Sequence, residues 1–244
     1  MIPLRDLDGR TGVPIVTTLL ILVNVAAWIY VLTLVDQPSA VDAFYRRWAF
    51  DPAVQLAVFS GGPVAPGTLL PFVTHQFLHA GWLHIAGNML FLWVFGAAVE
   101  MRVGRVAFVT FYLFAGCIAA IAQGVFEPSI PDGSRLVGAS GAISGVLGAY
   151  LTFAPTARVR VLVPVGLFIT PMTLPAVLVL GEWLLLQVIS AFNVLRVVAD
   201  ETAHVAYFAH LGGFAVGVAV VAMAKLERRI RGAATRPLTA APQR

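Results

Sequence analysis

From Pro14 to Val35 the chain carries no charged side chain. That run is long enough to cross a bilayer, which takes roughly 20 predominantly apolar residues. Five more apolar stretches follow, giving spans at about 14–34, 82–101, 106–126, 139–155, 172–192 and 205–224. Charged residues are only 11% of the chain, against about 25% in a soluble domain. Too few polar side chains remain to cover a water-facing surface. A soluble enzyme, a disordered chain and a nucleic-acid binder all fit poorly, despite a pI near 9.7. The expected fold is all-α, a polytopic bundle of six transmembrane helices in a lipid bilayer. The first run lacks a small-residue cleavage site and reads as a span that stays.

Cytoplasmic loops collect Lys and Arg. With six spans, both termini and the loops after spans 2 and 4 share one side. That side holds 12 of the 16 basic residues, among them Arg102, Arg158 and Lys225. The other side holds Arg46, Arg47, Arg135 and Arg196, with seven acids that include Asp132, Asp200 and Glu201. Both termini are therefore expected in the cytoplasm. The organisation reads as a short segment (1–13), a membrane core (14–225) and a basic tail (226–244). Residues 36–81 mix Trp48, Phe50, Phe59 and Phe72 with arginines, which suits either an outer loop with its own small core or an element half in the membrane. Residues 156–171 read as irregular, because Pro164 and Pro171 discourage a continuous helix. Cys117 is the only cysteine, so no intrachain disulfide or multi-Cys metal site exists.

Polar side chains inside a membrane are costly, and each is a functional-site candidate. His79, His84 and Asn88 lie at the start of span 2, Ser140 and Ser144 in span 4, Glu182 and Gln187 in span 5, and His210 in span 6. Spans 2, 4 and 6 run in the same direction. His84, Ser140 and His210 each fall within about two turns of the outer end, less than roughly 10 Å deep. Three residues from distant parts of the chain thus arrive at one depth. Gly138, Gly141, Gly145 and Gly148 form one helical face, and with Gly212, Gly213 and Gly217 they allow close helix approach. Most of these glycines read as packing alone.

A serine beside a histidine is a nucleophile beside a base. His84 and Asn88, four residues apart, share a face. They could donate to an oxyanion or simply clamp two spans together. No HExxH motif is present, and the only lysine lies at the far end of span 6. The spans contain no aspartate, and Glu100 is at the opposite face. The pair therefore lacks an acidic third member, and packing is expected to orient His210. Loss of that acid costs about 10⁴ in turnover in a soluble serine protease, so a slow enzyme is expected. Glu182 reads as neutral at mid-membrane or facing a water-filled cavity.

Three stretches resemble the rhomboid family of intramembrane serine proteases. His79-Ala80-Gly81-Trp82-Leu83-His84-Ile85-Ala86-Gly87-Asn88 is similar to its HxxxxHxxxN pattern. Gly138-Ala139-Ser140-Gly141 is similar to GxSG, and Ala209-His210-Leu211-Gly212-Gly213 to AHxGG in the last span. Glu100 and Arg102 resemble the ExR that ends the second span. The resemblance implies a six-helix rhomboid-like bundle that cleaves transmembrane segments of other proteins without a cofactor. Ser140 resembles the nucleophile, His210 the base, His84 and Asn88 the oxyanion donors, and His79 a supporting histidine, with Gly138 and Gly141 flanking the serine. His75, His79 and His204 otherwise read as interfacial or structural. Two positions depart from the family. Leu70-Pro71 stands where well-studied members have Trp-Arg, and Ser144 stands where many have an aromatic against the base. The other functional reading is a non-catalytic rhomboid-like protein that binds or escorts membrane proteins. The economy of the chain points to a bacterial plasma membrane. Substrate identity and oligomeric state are not legible.

Overall fold

A computed structural model describes residues 1–9, 12–62, 64–127, 135–166, 168–196 and 205–234, without the side chains of 194–196 and 230–234. Asp132, Asp200, Glu201, His204 and the tail from 235 onward lie outside the described residues. Strand β1 (Ile2–Asp6) leads into α1 (Ile15–Thr33). The long loop holds α2 (Pro38–Trp48), α3 (Pro52–Gln55) and α4 (Pro71–Thr74). The second span is α5 (Trp82–Phe91), a π-helical stretch (Leu92–Gly96) and α6 (Ala97–Val103). Helices α7 (Arg105–Phe126) and α8 (Ser140–Phe153) follow. A hairpin of β2 (Arg158–Val165) and β3 (Phe168–Pro175) then leads to α9 (Ala176–Arg196) and α10 (Tyr207–Ala234).

Five of these helices are long and apolar enough to cross a membrane, and α8 is a shorter apolar sixth. Such a set of helices fits a multi-pass membrane protein. Helix α8 is enclosed by its neighbours: Gly141 to Tyr150 are all buried. An enclosed helix need not match the lipid thickness. Its 14 residues rise about 21 Å, against about 30 Å of hydrocarbon. Two cations mark its C-terminal end. Lys225 Nζ donates to the Thr152 carbonyl at 2.6 Å, and the Arg102 guanidinium lies 4.6 Å from the Phe153 ring centre.

Helices α8 and α10 meet backbone to backbone. A Cβ at Gly213 would meet the Gly141 carbonyl, and one at Gly217 the Gly145 carbonyl. The glycine face therefore brings two backbones into direct contact.

The buried Glu100 explains how α1 begins. Helix α1 has no side-chain cap of its own, which leaves its first N–H groups without intrahelical acceptors. The Glu100 carboxylate reaches across from α6. It accepts from Val16 N at 2.9 Å, Thr17 N at 2.7 Å and Thr17 Oγ1 at 2.8 Å.

Residues 158–175 correct the expectation of an irregular segment. They form an antiparallel hairpin, and β1 adds to it in the order β1-β2-β3. Arg158 and Arg160 alternate with the fully buried Val159 and Val161, the period of a half-buried strand. The prolines do not prevent it. Strand β1 pairs only with residues 159–162 of β2, so Pro164 faces a partner on one side alone. Pro171 lies on the edge strand β3, where a missing N–H costs little. Residues 172–175 are consequently strand, and the fifth span begins at Ala176.

The long loop packs its own small cluster of Phe50, Phe72 and Leu56 against Ala120 of α7 and Leu136, while Phe59, Leu69 and Leu70 stay exposed. With Leu70-Pro71 in place of Trp-Arg, other bonds anchor it. Tyr45 Oη donates to the His79 carbonyl at 2.7 Å and Thr74 Oγ1 to the Trp48 carbonyl at 2.6 Å.

Candidate active site

Ser140 is the first residue of α8, and His210 lies in the first turn of α10. The glycine contact brings their ends together, and Ser140 Oγ lies 2.8 Å from His210 Nε2. The first turn of α10 is held from outside the helix: Ala209 N donates to Gln123 Oε1 of α7 at 3.0 Å. As residue one of its helix, Ser140 has a backbone N–H with no intrahelical acceptor.

Gly138 shapes the approach to the serine. Its φ of +126° is a conformation that side-chain-bearing residues rarely adopt. Its N–H donates to the His75 carbonyl at 2.9 Å, which ties this turn to the long loop. A Cβ here would lie 2.7 Å from His84 Nε2 and 3.6 Å from Ser140 Oγ. The missing side chain is the space in which the His84 ring and the serine converge. Gly141 has a different task, since a Cβ there would lie 2.6 Å from the Ala119 methyl of α7.

Asn88 is buried and donates through Nδ2 to His79 Nε2 at 2.9 Å. One amide hydrogen is thereby used and the second remains. The His79 and His84 rings meet edge to face at 5.0 Å. His79 is fully buried, and accepting from Asn88 at Nε2 puts its ring hydrogen on Nδ1. His75 is equally buried, and its Nδ1–H donates to the Pro71 carbonyl at 2.7 Å. That is a structural arrangement, and burial lowers this imidazole to about 4.

His84, Asn88, Ser140, His210 and Trp183 all line one cavity of about 840 Å³. Its size admits several side chains of a peptide segment.

A hydrogen bond to His210 corrects the expectation that packing alone orients it. Gln187 Oε1 of α9 lies 2.8 Å from His210 Nδ1. The Trp183 ring, one turn earlier, lies 5.9 Å away at 40°, and Tyr207 meets the imidazole edge to face at 6.5 Å. The aromatic support missing at position 144 thus comes from another helix. Ser144 instead donates to the Ser140 carbonyl at 2.6 Å. The sequence marks Gln187 and His210 each as a polar residue in a span, but not their pairing. The four-residue spacing from Trp183 to Gln187, which puts both on one face, was the available signal. Gln123 carried no comparable signal. Glu182 turns the other way, with its Oε2 at 3.5 Å from the Met1 ammonium.

Comparison with known proteins identifies the family. The model of the Rhomboid domain matches residues 66–226. Rhomboid protease GluP of Bacillus subtilis (strain 168) is 42% identical over 103 residues, 42% of this chain and 19% of that protein. The mitochondrial presenilin-associated rhomboid-like protein of Mus musculus is 31% identical over 121 residues, covering 49% of this chain and 32% of its own. The chloroplastic rhomboid-like protein 11 of Arabidopsis thaliana is 30% identical over 156 residues, 62% and 50% respectively. The chain thus spans at most half the length of these relatives. The family match covers well over half of the chain, including His79, His84, Asn88, Ser140 and His210, and on that ground the chain belongs to the rhomboid family.

Proposed function

We propose that the protein is an intramembrane serine endopeptidase that cleaves transmembrane segments of other membrane proteins. The observation that carries this reading is the 2.8 Å contact between Ser140 Oγ and His210 Nε2, at the wall of a cavity large enough for a peptide. A hydroxyl at that distance can pass its proton to the imidazole as it attacks a carbonyl carbon. The tetrahedral oxyanion is then met by the free N–H of Ser140, whose position at a helix N-terminus also favours negative charge. His84 and the second amide hydrogen of Asn88 supply further donors. The imidazolium returns its proton to the leaving amine. Water, activated by the same base, releases the acyl group from Ser140.

The substrate imposes its own condition. A peptide bond inside a helix has its carbonyl engaged and its faces covered by side chains. The segment must unwind locally before Ser140 can reach it. Segments with helix-weakening residues and small side chains near the scissile bond suit this site. The charge asymmetry of the loops supports a cytoplasmic location for both termini, with Ser140 toward the outer side of a plasma membrane. Residues 14–225 form the catalytic membrane core in this reading.

The test is covalent labelling of the purified protein in lipid by a fluorophosphonate probe, beside Ser140→Ala and His210→Ala. Labelling of the wild type that vanishes in both variants is expected. A folded wild type that neither labels nor cleaves a transmembrane reporter overturns the reading and favours a non-catalytic protein that binds membrane partners.

A further inference from the structure

The groups assigned to the reaction so far lie on α5, α8 and α10. The base, however, makes its second hydrogen bond to a different helix. We propose that Gln187 of α9 is the positioning residue that makes His210 a base, acting as a neutral acceptor where soluble serine proteases use a carboxylate. The inference rests on the protease reading of Ser140 and His210.

A neutral imidazole has one nitrogen that donates and one that accepts. To take the Ser140 proton, Nε2 must be the acceptor, so the ring hydrogen must be on Nδ1. His210 is buried, and a buried N–H needs a partner. Gln187 Oε1, at 2.8 Å from Nδ1, can only accept. The bond therefore selects the productive tautomer. The opposite amide orientation would point an N–H donor at Nδ1, move the ring hydrogen to Nε2 and aim a donor at Ser140. A glutamine thus specifies the base only in one orientation.

The choice of an amide also follows from the surroundings. An ionised carboxylate within a span carries a large desolvation cost, and an amide a smaller one. The amide gives up the charge that would stabilise the imidazolium during turnover. Trp183, on the same face of α9, packs on the ring while Gln187 holds its edge. Ring orientation and tautomer of the base are thus both set from α9.

The experiment uses the full chain in lipid nanodiscs, with Gln187→Met and Gln187→Glu. Methionine matches the length without an oxygen acceptor, and glutamate keeps one. In a soluble protease, forcing the wrong tautomer costs about 10⁴. Methionine leaves the tautomer free instead of forcing it, so kcat and the fluorophosphonate labelling rate are expected to fall about 10- to 100-fold. KM for a transmembrane reporter stays within about twofold, and Gln187→Glu recovers most of the rate. Wild-type kcat in Gln187→Met, with Ser140→Ala inactive, overturns the inference and leaves the protease reading standing. Equal loss in both variants also overturns it, since it marks a packing role. The second measurement needs no activity and no variant at Gln187. In ¹⁵N-histidine wild type, the resonance that disappears in His210→Gln should be that of an Nδ1–H tautomer. An Nε2–H tautomer overturns the inference. A wild type that neither labels nor cleaves overturns the protease reading instead, and the tautomer measurement still decides the role of Gln187.

Discussion

Gly138→Ala is expected to damage catalysis and stability by separate, calculable routes. The added Cβ would lie 2.7 Å from His84 Nε2 and 2.9 Å from its Cε1, whereas carbon contacts are comfortable near 3.5 Å. The imidazole must retreat by roughly 0.6–0.8 Å. An oxyanion donor works only near 2.7–3.1 Å, and loss of one costs about 10²–10³ in kcat. A displacement of this size should cost about 10². Independently, alanine at a φ of +126° carries about 1–3 kcal/mol of backbone strain. The assay is cleavage of a transmembrane reporter by detergent-purified enzyme, with unfolding followed in parallel. Gly181→Ala is the control, because a Cβ there meets nothing within 4 Å, and it should be neutral or slightly stabilising. A folded Gly138→Ala variant that keeps wild-type kcat would refute the assignment of His84 as a donor.

Glu100→Ala should lose about 2–5 kcal/mol of stability, because buried N–H groups at the start of α1 are left without acceptors. Glu100→Gln, which keeps one acceptor, should lose less, and unfolding midpoints decide the order. Acid should destabilise the protein through His75. Its folded-state value is about 4, below the ordinary 6.5, so the unfolded chain binds the proton first as pH falls. The stabilisation is complete above pH 6.5 and is lost toward pH 4, by about 2 kcal/mol at pH 5. The slope of stability against pH should be shallower in His75→Gln, and an unchanged slope contradicts the reading. For substrates, adding Leu or Ala around the scissile bond should slow cleavage by strengthening the helix. Constant rates across such a series contradict the need to unwind.

The spans were legible because hydrophobic length is a property of consecutive residues. Ser140 and His210 were legible because span direction and depth follow from counting along the chain, and their family motifs supported the same choice. What escaped the sequence depends on contacts between distant segments. The alternation of Arg158 and Arg160 with Val159 and Val161 was visible, yet Pro164 and Pro171 argued against a strand until the pairing showed which edges they occupy. Gln187 was visible as a polar residue in a span, but nothing along the chain shows which of two ring nitrogens it meets. Glu100 was legible as a motif residue, while its work is to cap α1 through Val16, 84 residues earlier.

The arrangement divides the site between a rigid pair and a looser partner. Ser140 and His210 are carried by α8 and α10, whose glycines put backbone against backbone. That interface holds no side chain that could rotate away, so the backbones carrying the 2.8 Å Ser140–His210 contact stay at a fixed separation. The ring's second bond and its aromatic cover come from α9, which has the smallest buried share of the five long apolar helices. A shift of α9 therefore leaves the serine and histidine adjacent while it releases Nδ1 and uncovers the ring. Substitutions that loosen α9, such as Trp183→Ala, should lower kcat without separating Ser140 from His210. Substitutions between α8 and α10, such as Gly217→Ala, should separate the pair itself. Fluorophosphonate labelling distinguishes the two, since a separated serine stops reacting and an unsupported base only slows it.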